Sequence, residues 1–231
     1  MFADPMHRAM ATQYREVARA PAEQFPSRPG VTSDTDRVNF RGRPVPPRLE
    51  GSGRRSVCFR TPRFPFPVGR DSAAGLYPWP DRLAGIPGAV LDRFVGVGNP
   101  FTLGVPRPGW HVLDVGCGAG LDTLMAAELV GPGGRVIGVD LNPEMLAVAE
   151  EGNAECGIEN VEFRAGLAEE LPVESGWADL VIANAAIGLT AAPGRAFAEV
   201  ARVLRPGGGL QAAELVLDDH EPVPEALRWT H

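Results

Sequence analysis

The chain has 231 residues, 44% of them hydrophobic and 22% charged, with a formal net charge of −7. That length suits one ordinary α/β domain with some surplus, and not comfortably two. The acidic balance argues against a nucleic-acid or lipid-binding surface, and no apolar run is long enough to span a bilayer; Cys58, Cys117 and Cys156 make neither a disulfide framework nor a CxxC metal spacing.

The averages hide a division. Residues 1–82 carry 14 Arg against 8 acids and hold 12 of the 23 prolines, whereas residues 83–231 carry 8 Arg against 21 acids. Stretches such as "RGRPVPPRLE" and "RTPRFPFPVGR" cannot run as a helix or a central strand, because proline fixes φ and removes a donor. Residues 1–82 therefore read as a Pro/Arg-rich N-terminal arm, partly disordered, with one short helix at "MHRAMATQYREVARA". The N-terminus has no apolar core of a secretory signal, so a cytoplasmic location is expected. A compact domain is expected over 83–217, followed by a short tail at 218–231.

Within that domain the elements alternate. "HVLDV" reads as a strand and "LDTLMAAELV" as a helix closed by Gly131 and Pro132; "RVIGVD" is a second strand. "NPEMLAVAEEGNAECG" is a helix with Asn142 as N-cap, Pro143 in the first turn and Gly157 as terminator. "VEF" and "ADLVIA" are the third and fourth strands. "GRAFAEVARVL" is an amphipathic helix with its apolar face at 197, 200, 201 and 204, ended by "RPGGG", and "LQAAELVL" is the fifth strand. Strands alternating with helices at this spacing, with continuous apolar strands, predict a Rossmann-like, doubly wound α/β fold with a mostly parallel sheet.

The loop after the first strand, in "VLDVGCGAGLDT", concentrates the candidate chemistry. Gly116, Gly118 and Gly120 permit positive φ and close backbone approach to a ligand. Asp140 ends the second strand, where a carboxylate can hold both hydroxyls of a ribose. Two nucleotide classes compete for this arrangement. A dinucleotide site uses G-x-G-x-x-G with a helix N-terminus aimed at pyrophosphate, which leaves an NAD-binding oxidoreductase as one alternative. Here the pattern is acid-x-G-x-G, with Asp114 two residues before the first glycine. A carboxylate there would repel pyrophosphate and attract the ammonium group of a methionine moiety, which favours S-adenosylmethionine.

The motifs "VLDVGCGAG", "VIGVDLNPEML", "VEFRAGLAEELP", "ADLVIANAAIGL" and "VARVLRPGGGLQAAEL" occur in order over about residues 90–217. In them the chain resembles the class I S-adenosylmethionine-dependent methyltransferases, and within these "VGVGNPFTLGVPRPG" and "GLDTLMAAELVGPGGRVIGVDLNPEML" are similar to the arsenite methyltransferase-like branch. The resemblance implies S-adenosylmethionine as cofactor and a small-molecule methyl acceptor, with no metal required. It implies that Asp114, Gly116, Gly118 and Gly120 surround the methionine end and that Asp140 binds the ribose. Leu141 and Asn142 would lie beside the adenine, with Leu167 and Ala168 on its other face, and Asn184 would face the methyl-transfer site as the catalytic candidate. Each has a plainer alternative: a turn for Gly118 and Gly120, a helix cap for Asn142, core for Leu167. Glu169 and Glu170 are expected to form a solvated turn rather than a ligand site.

Two departures from the branch qualify its substrate. Soft trivalent arsenic is held by several thiolates. The position after Asn184 that carries a cysteine in the arsenite branch is Ala185 here, and only Cys58 could approach a pocket. The sheet also stops after its fifth strand, where the family usually adds two more, so a homo-oligomer could cover the open edge. An inactive S-adenosylmethionine-binding remnant is the alternative this suggests.

Overall fold

A computed structural model describes residues 68–215. The expected helix near residue 10, Cys58 and the tail at 218–231 lie outside the described residues. Three short helices lead in: α1 (Arg70–Leu76), α2 (Pro80–Gly85) and α3 (Gly88–Leu91), then a 3-10 turn at Pro100–Leu103. The alternating part follows as β1 (His111–Val115), α4 (Leu121–Val130), β2 (Arg135–Asp140), α5 (Pro143–Cys156), β3 (Val161–Ala165), β4 (Ala178–Asn184), a 3-10 turn at Ile187–Leu189, α6 (Pro193–Val203) and β5 (Leu204–Ala213).

The five strands form one sheet in the order β3-β2-β1-β4-β5, every neighbouring pair parallel. This is the doubly wound α/β arrangement the sequence predicts. Alternation along each strand feeds two cores. Val112, Val136, Leu180 and Ile182 pack with α4 and the lead-in helices, whereas Leu113, Ile137, Val139 and Val181 face the side covered by α6. Both faces being covered explains why the strands read as unbroken apolar runs.

Local signals set the element ends. Asn142 Oδ1 accepts the Glu144 N–H at 2.9 Å and the Met145 N–H at 3.4 Å, so it does cap α5, and Gly157 closes that helix in the left-handed region (φ 63°, ψ 35°). α4 starts from Gly120 at φ 92° and stops at Gly131.

Three expectations change. Residues 68–82, placed in the arm by composition, supply α1, α2 and core side chains: Ala73 and Tyr77 are 0% and 2% exposed. The buried face of α6 is Ala196, Val200 and Val203, while Phe197 is half exposed; the true stripe starts one residue earlier, at i, i+4, i+7. "RPGGG" does not separate helix from strand. β5 already begins at Leu204, and its register jumps so that Ala178 faces Leu204 while Leu180 faces Gly209. The intervening residues bulge, with Gly207 at φ 83°.

Candidate active site

The strand order reverses between β1 and β4, and a cleft lies beyond their carboxyl ends. Open parallel sheets bind ligands at such switch points. Gly116 and Gly118 line it after β1, Asp140 to Asn142 after β2, Gly166, Ala168 and Glu169 after β3, and Asn184 to Ala186 after β4. Val95, Leu189 and Thr190 complete one side.

The glycine loop is built as its sequence requires. Gly116, Gly118 and Gly120 have φ of 73°, 52° and 92°. A Cβ at Gly116 would overlap the Ala186 methyl, so the β1 and β4 loops can meet only because that side chain is missing. Gly118 donates its N–H to Asp140 Oδ2 at 2.8 Å, and the Asn142 N–H reaches Asp140 Oδ1 at 2.8 Å. Asp140 thus fixes the loop and the start of α5 together. Burial raises its carboxyl pKa, and the backbone donors from Asn142, Gly118 and Leu141 oppose that rise. Each oxygen keeps a lone pair for a further donor.

Asn142 is 1% exposed; its oxygen caps α5 while its Nδ2 has no hydrogen-bond partner. A buried donor left without a partner is costly.

Of the other expected site residues, Ala168 and Leu141 line the cleft. Asp114, Gly120 and Leu167 do not: Gly120 packs under α5 and Leu167 bridges to Glu170. Asp114 is 1% exposed and accepts the Thr123 hydroxyl at 2.6 Å. Burial, reinforced by Asp122, pushes its carboxyl well above the ordinary range. Glu169 corrects the solvated-turn expectation: it is 7% exposed, lines the cleft and accepts the Ala192 N–H at 3.3 Å, while Glu170 is exposed.

Sequence reasoning also missed three residues. Glu214, just past β5, accepts the Ala186 and Ile187 N–H groups at 3.1 and 2.9 Å and so shapes the turn after β4. Tyr77 and Asp122 are buried behind the cleft wall, the Tyr77 hydroxyl donating to Asp122. No local signal could have joined Tyr77 to residues so distant along the chain.

Among the described residues no group of three metal-binding side chains occurs, and no helix is long and apolar enough to cross a membrane. Cys117 and Cys156 are buried, and neither lines the cleft. Burial pushes the Cys117 thiol up and the Cys156 thiol to about 12, so both stay protonated near neutrality.

Residues 106–228 match the family model described as a methyltransferase domain. The chain belongs to that family. The chain is 43% identical over 141 residues to an arsenite methyltransferase of Halobacterium salinarum, covering 59% of this chain and 36% of that one. It is 36% identical over 151 residues to the nocamycin O-methyltransferase of Saccharothrix syringae, covering 64% and 52%. An arsenic (III) S-adenosylmethionine methyltransferase from Chlamydomonas reinhardtii superposes with a TM-score of 0.51 at 36% identity, covering 63% of this chain and 48% of that one. These findings identify a class I S-adenosylmethionine-dependent methyltransferase related to the arsenite enzymes, with S-adenosylmethionine as its cofactor. They set aside the NAD-binding oxidoreductase. The chain spans between about a third and a half of the length of these curated relatives.

Proposed function

We propose that this chain transfers a methyl group from S-adenosylmethionine to a small, largely apolar acceptor. The observation that carries the reading is one cleft, at the switch point, lined by Gly116 and Gly118 of the first loop and by Asp140, whose carboxylate oxygens each keep a lone pair. Asp140 would accept the ribose hydroxyls on its free lone pairs. Leu141 and Asn142 would lie beside the adenine, with Ala168 against its other face. Gly116 and Gly118 would allow the methionine end to lie on the backbone. Asp114, enclosed under the loop and bonded to the Thr123 hydroxyl, would support the glycine turn from beneath rather than touch the ligand.

The charge of the cleft supports the same ligand. Its titratable lining residues are Asp140 and Glu169, and no cation lines it among the described residues. Such a wall favours a ligand bearing a sulfonium and an ammonium over one bearing pyrophosphate.

The bound cofactor supplies a methyl carbon already activated by its sulfonium sulfur. The protein's part is then to place the nucleophile in line and to exclude water. Val95, Ala185, Ala186 and Leu189 offer an apolar surface for that purpose. His111 sits at the opening of β1, at the opposite end of the strand from the cleft, stacked on Trp177 with centroids 4.9 Å apart. It is no general base for this cleft, which suits an acceptor that is soft or arrives deprotonated. Ala185 and the two protonated buried thiols make a thiolate-held arsenic site a poor fit for the described residues.

Thermal-shift titration tests the reading, because a ligand that prefers the native state raises its midpoint. S-adenosylmethionine and S-adenosylhomocysteine are expected to raise it and NAD to leave it unchanged. No shift with either sulfur compound at millimolar concentration overturns the cofactor assignment. Turnover on a panel of thiol, phenol, quinol and metalloid acceptors then tests the transfer, and its absence across the panel favours binding without catalysis.

A further inference from the structure

Asn184 stands at the cleft, but its side chain is committed elsewhere. A carboxamide offers two N–H donors and one oxygen with two lone pairs. The oxygen accepts the Val97 N–H at 2.9 Å and the Gly98 N–H at 3.2 Å. The nitrogen reaches the Gly98 carbonyl at 2.8 Å, Asp122 Oδ2 at 3.0 Å and the Tyr77 hydroxyl at 3.3 Å. That exhausts the group, so none of its capacity is left to bind an acceptor molecule. Gly96 fits the same arrangement, since a Cβ there would overlap the Asn184 amide.

The partners come from separate parts of the fold. Asp122 lies in the first turn of α4, 6% exposed, with one oxygen toward Asn184 and the other taking the Tyr77 hydroxyl. Tyr77 follows α1, and its ring meets Phe94 edge-on, with centroids 5.8 Å apart at 80°. Phe94 in turn opens the segment that Asn184 grips, and its carbonyl accepts the Gly69 N–H at 2.6 Å. The end of α1, the start of α4 and the end of β4 therefore converge on residues 94–98, and Val95 of that segment lines the cleft.

We propose that Tyr77, Asp122 and Asn184 act as one latch that positions Val95–Gly98 as a wall of the cleft, which makes Asn184 a positioning residue and not a catalytic one. The functional half of this proposal rests on reading the cleft as the cofactor site. Hydrogen bonds to a buried carboxylate are of the stronger, charge-assisted kind, so loosening any member is felt by the others. The Tyr77 hydroxyl touches neither the Val97 nor the Gly98 amide; it acts on them through Asn184, directly and by way of Asp122.

Hydrogen exchange tests the latch without any ligand, because local opening sets the rate at a protected amide. Asn184→Ala is expected to speed exchange at Val97 and Gly98 by about tenfold or more, given the loss of their acceptor. Tyr77→Phe keeps the ring and removes only the hydroxyl; it is expected to speed the same two amides by about threefold or more while leaving Val136 and Ile137 in β2 unchanged. The double variant is expected to go no further than Asn184→Ala alone, the signature of residues that act as a unit. S-adenosylhomocysteine is expected to dissociate several-fold faster from both single variants in stopped-flow displacement. Wild-type exchange at Val97 and Gly98 in Tyr77→Phe, or an equal rise across the whole sheet, overturns the latch; so does additivity in the double variant. Should Asn184→Ala not fold, Tyr77→Phe alone decides. Faster exchange with unchanged dissociation overturns the role of the latch at the cleft. Failure of the wild-type protein to bind S-adenosylhomocysteine overturns the cofactor reading instead, and is seen separately from the exchange result.

Discussion

Asp122 illustrates how burial sets chemistry at single residues. Desolvation pushes its carboxyl from 3.8 up to about 6, against the pull of the Tyr77 and Asn184 hydrogen bonds. A folded-state pKa above the unfolded one means that the native state binds the extra proton between those two values. Stability from this group is therefore greatest below about pH 4 and is lost as pH rises through about 6, by ~3 kcal/mol. Burial shifts Asp114 and Asp140 the same way, so they add to the slope rather than cancel it. Asp122→Asn is expected to flatten the fall in stability between pH 4 and 7 seen in urea titrations of the wild-type protein; parallel curves for the two would remove Asp122 as its source. Asp140→Ala is expected to weaken S-adenosylmethionine binding by about 1–3 kcal/mol, the worth of charge-assisted hydrogen bonds, read by calorimetry. The two residues differed in how far the sequence exposed them. Asp140 announces itself as an acid at the end of an apolar strand. Tyr77 and Asp122 form a pair only in three dimensions, and Pro78 and Pro80 gave Tyr77 the appearance of an extended arm.

Elements were legible where a residue type has one dominant use. Asn142, Pro143 and Gly157 marked both ends of α5 because caps and terminators act locally. The start of β5 was not legible, since "RPGGG" carries every sign of a break and yet is held in the sheet by pairing with β4. Long-range pairing overrode local propensity there. Gly120, which joins β1's loop to α4, combines φ 92° with Ala149 Cβ only 3.0 Å from where a side chain would begin. Gly120→Ala is expected to destabilise by about 1–3 kcal/mol in denaturant titration. Gly133→Ala, in open space without a positive φ, is the control and is expected to stay within about 0.5 kcal/mol.

At the scale of the molecule the sheet divides the interior into two cores that share strands but not side chains. Leu113 lies in one and Leu124 in the other, both 0% exposed. Each truncation to alanine is expected to cost about 2–5 kcal/mol, and the double variant about the sum, because no common cavity links them. A cost well short of the sum would show that the two layers are coupled through the strands. The layered order itself was readable from periodicity alone. Where the cleft wall would come from was not, because nothing local ties Val95 to the strand ends that follow it in the chain.

The rim formed by Ala185, Ala186 and Leu189 has a bearing on selectivity. Methyl and isobutyl groups cannot tell a hydroxyl from an amine, but they do measure girth. On the proposed methyl transfer, congeners of a guest that differ in one polar substituent are therefore expected to compete about equally, whereas a bulkier ring system is expected to be turned away, and competition between paired acceptors would reveal which property is being sorted.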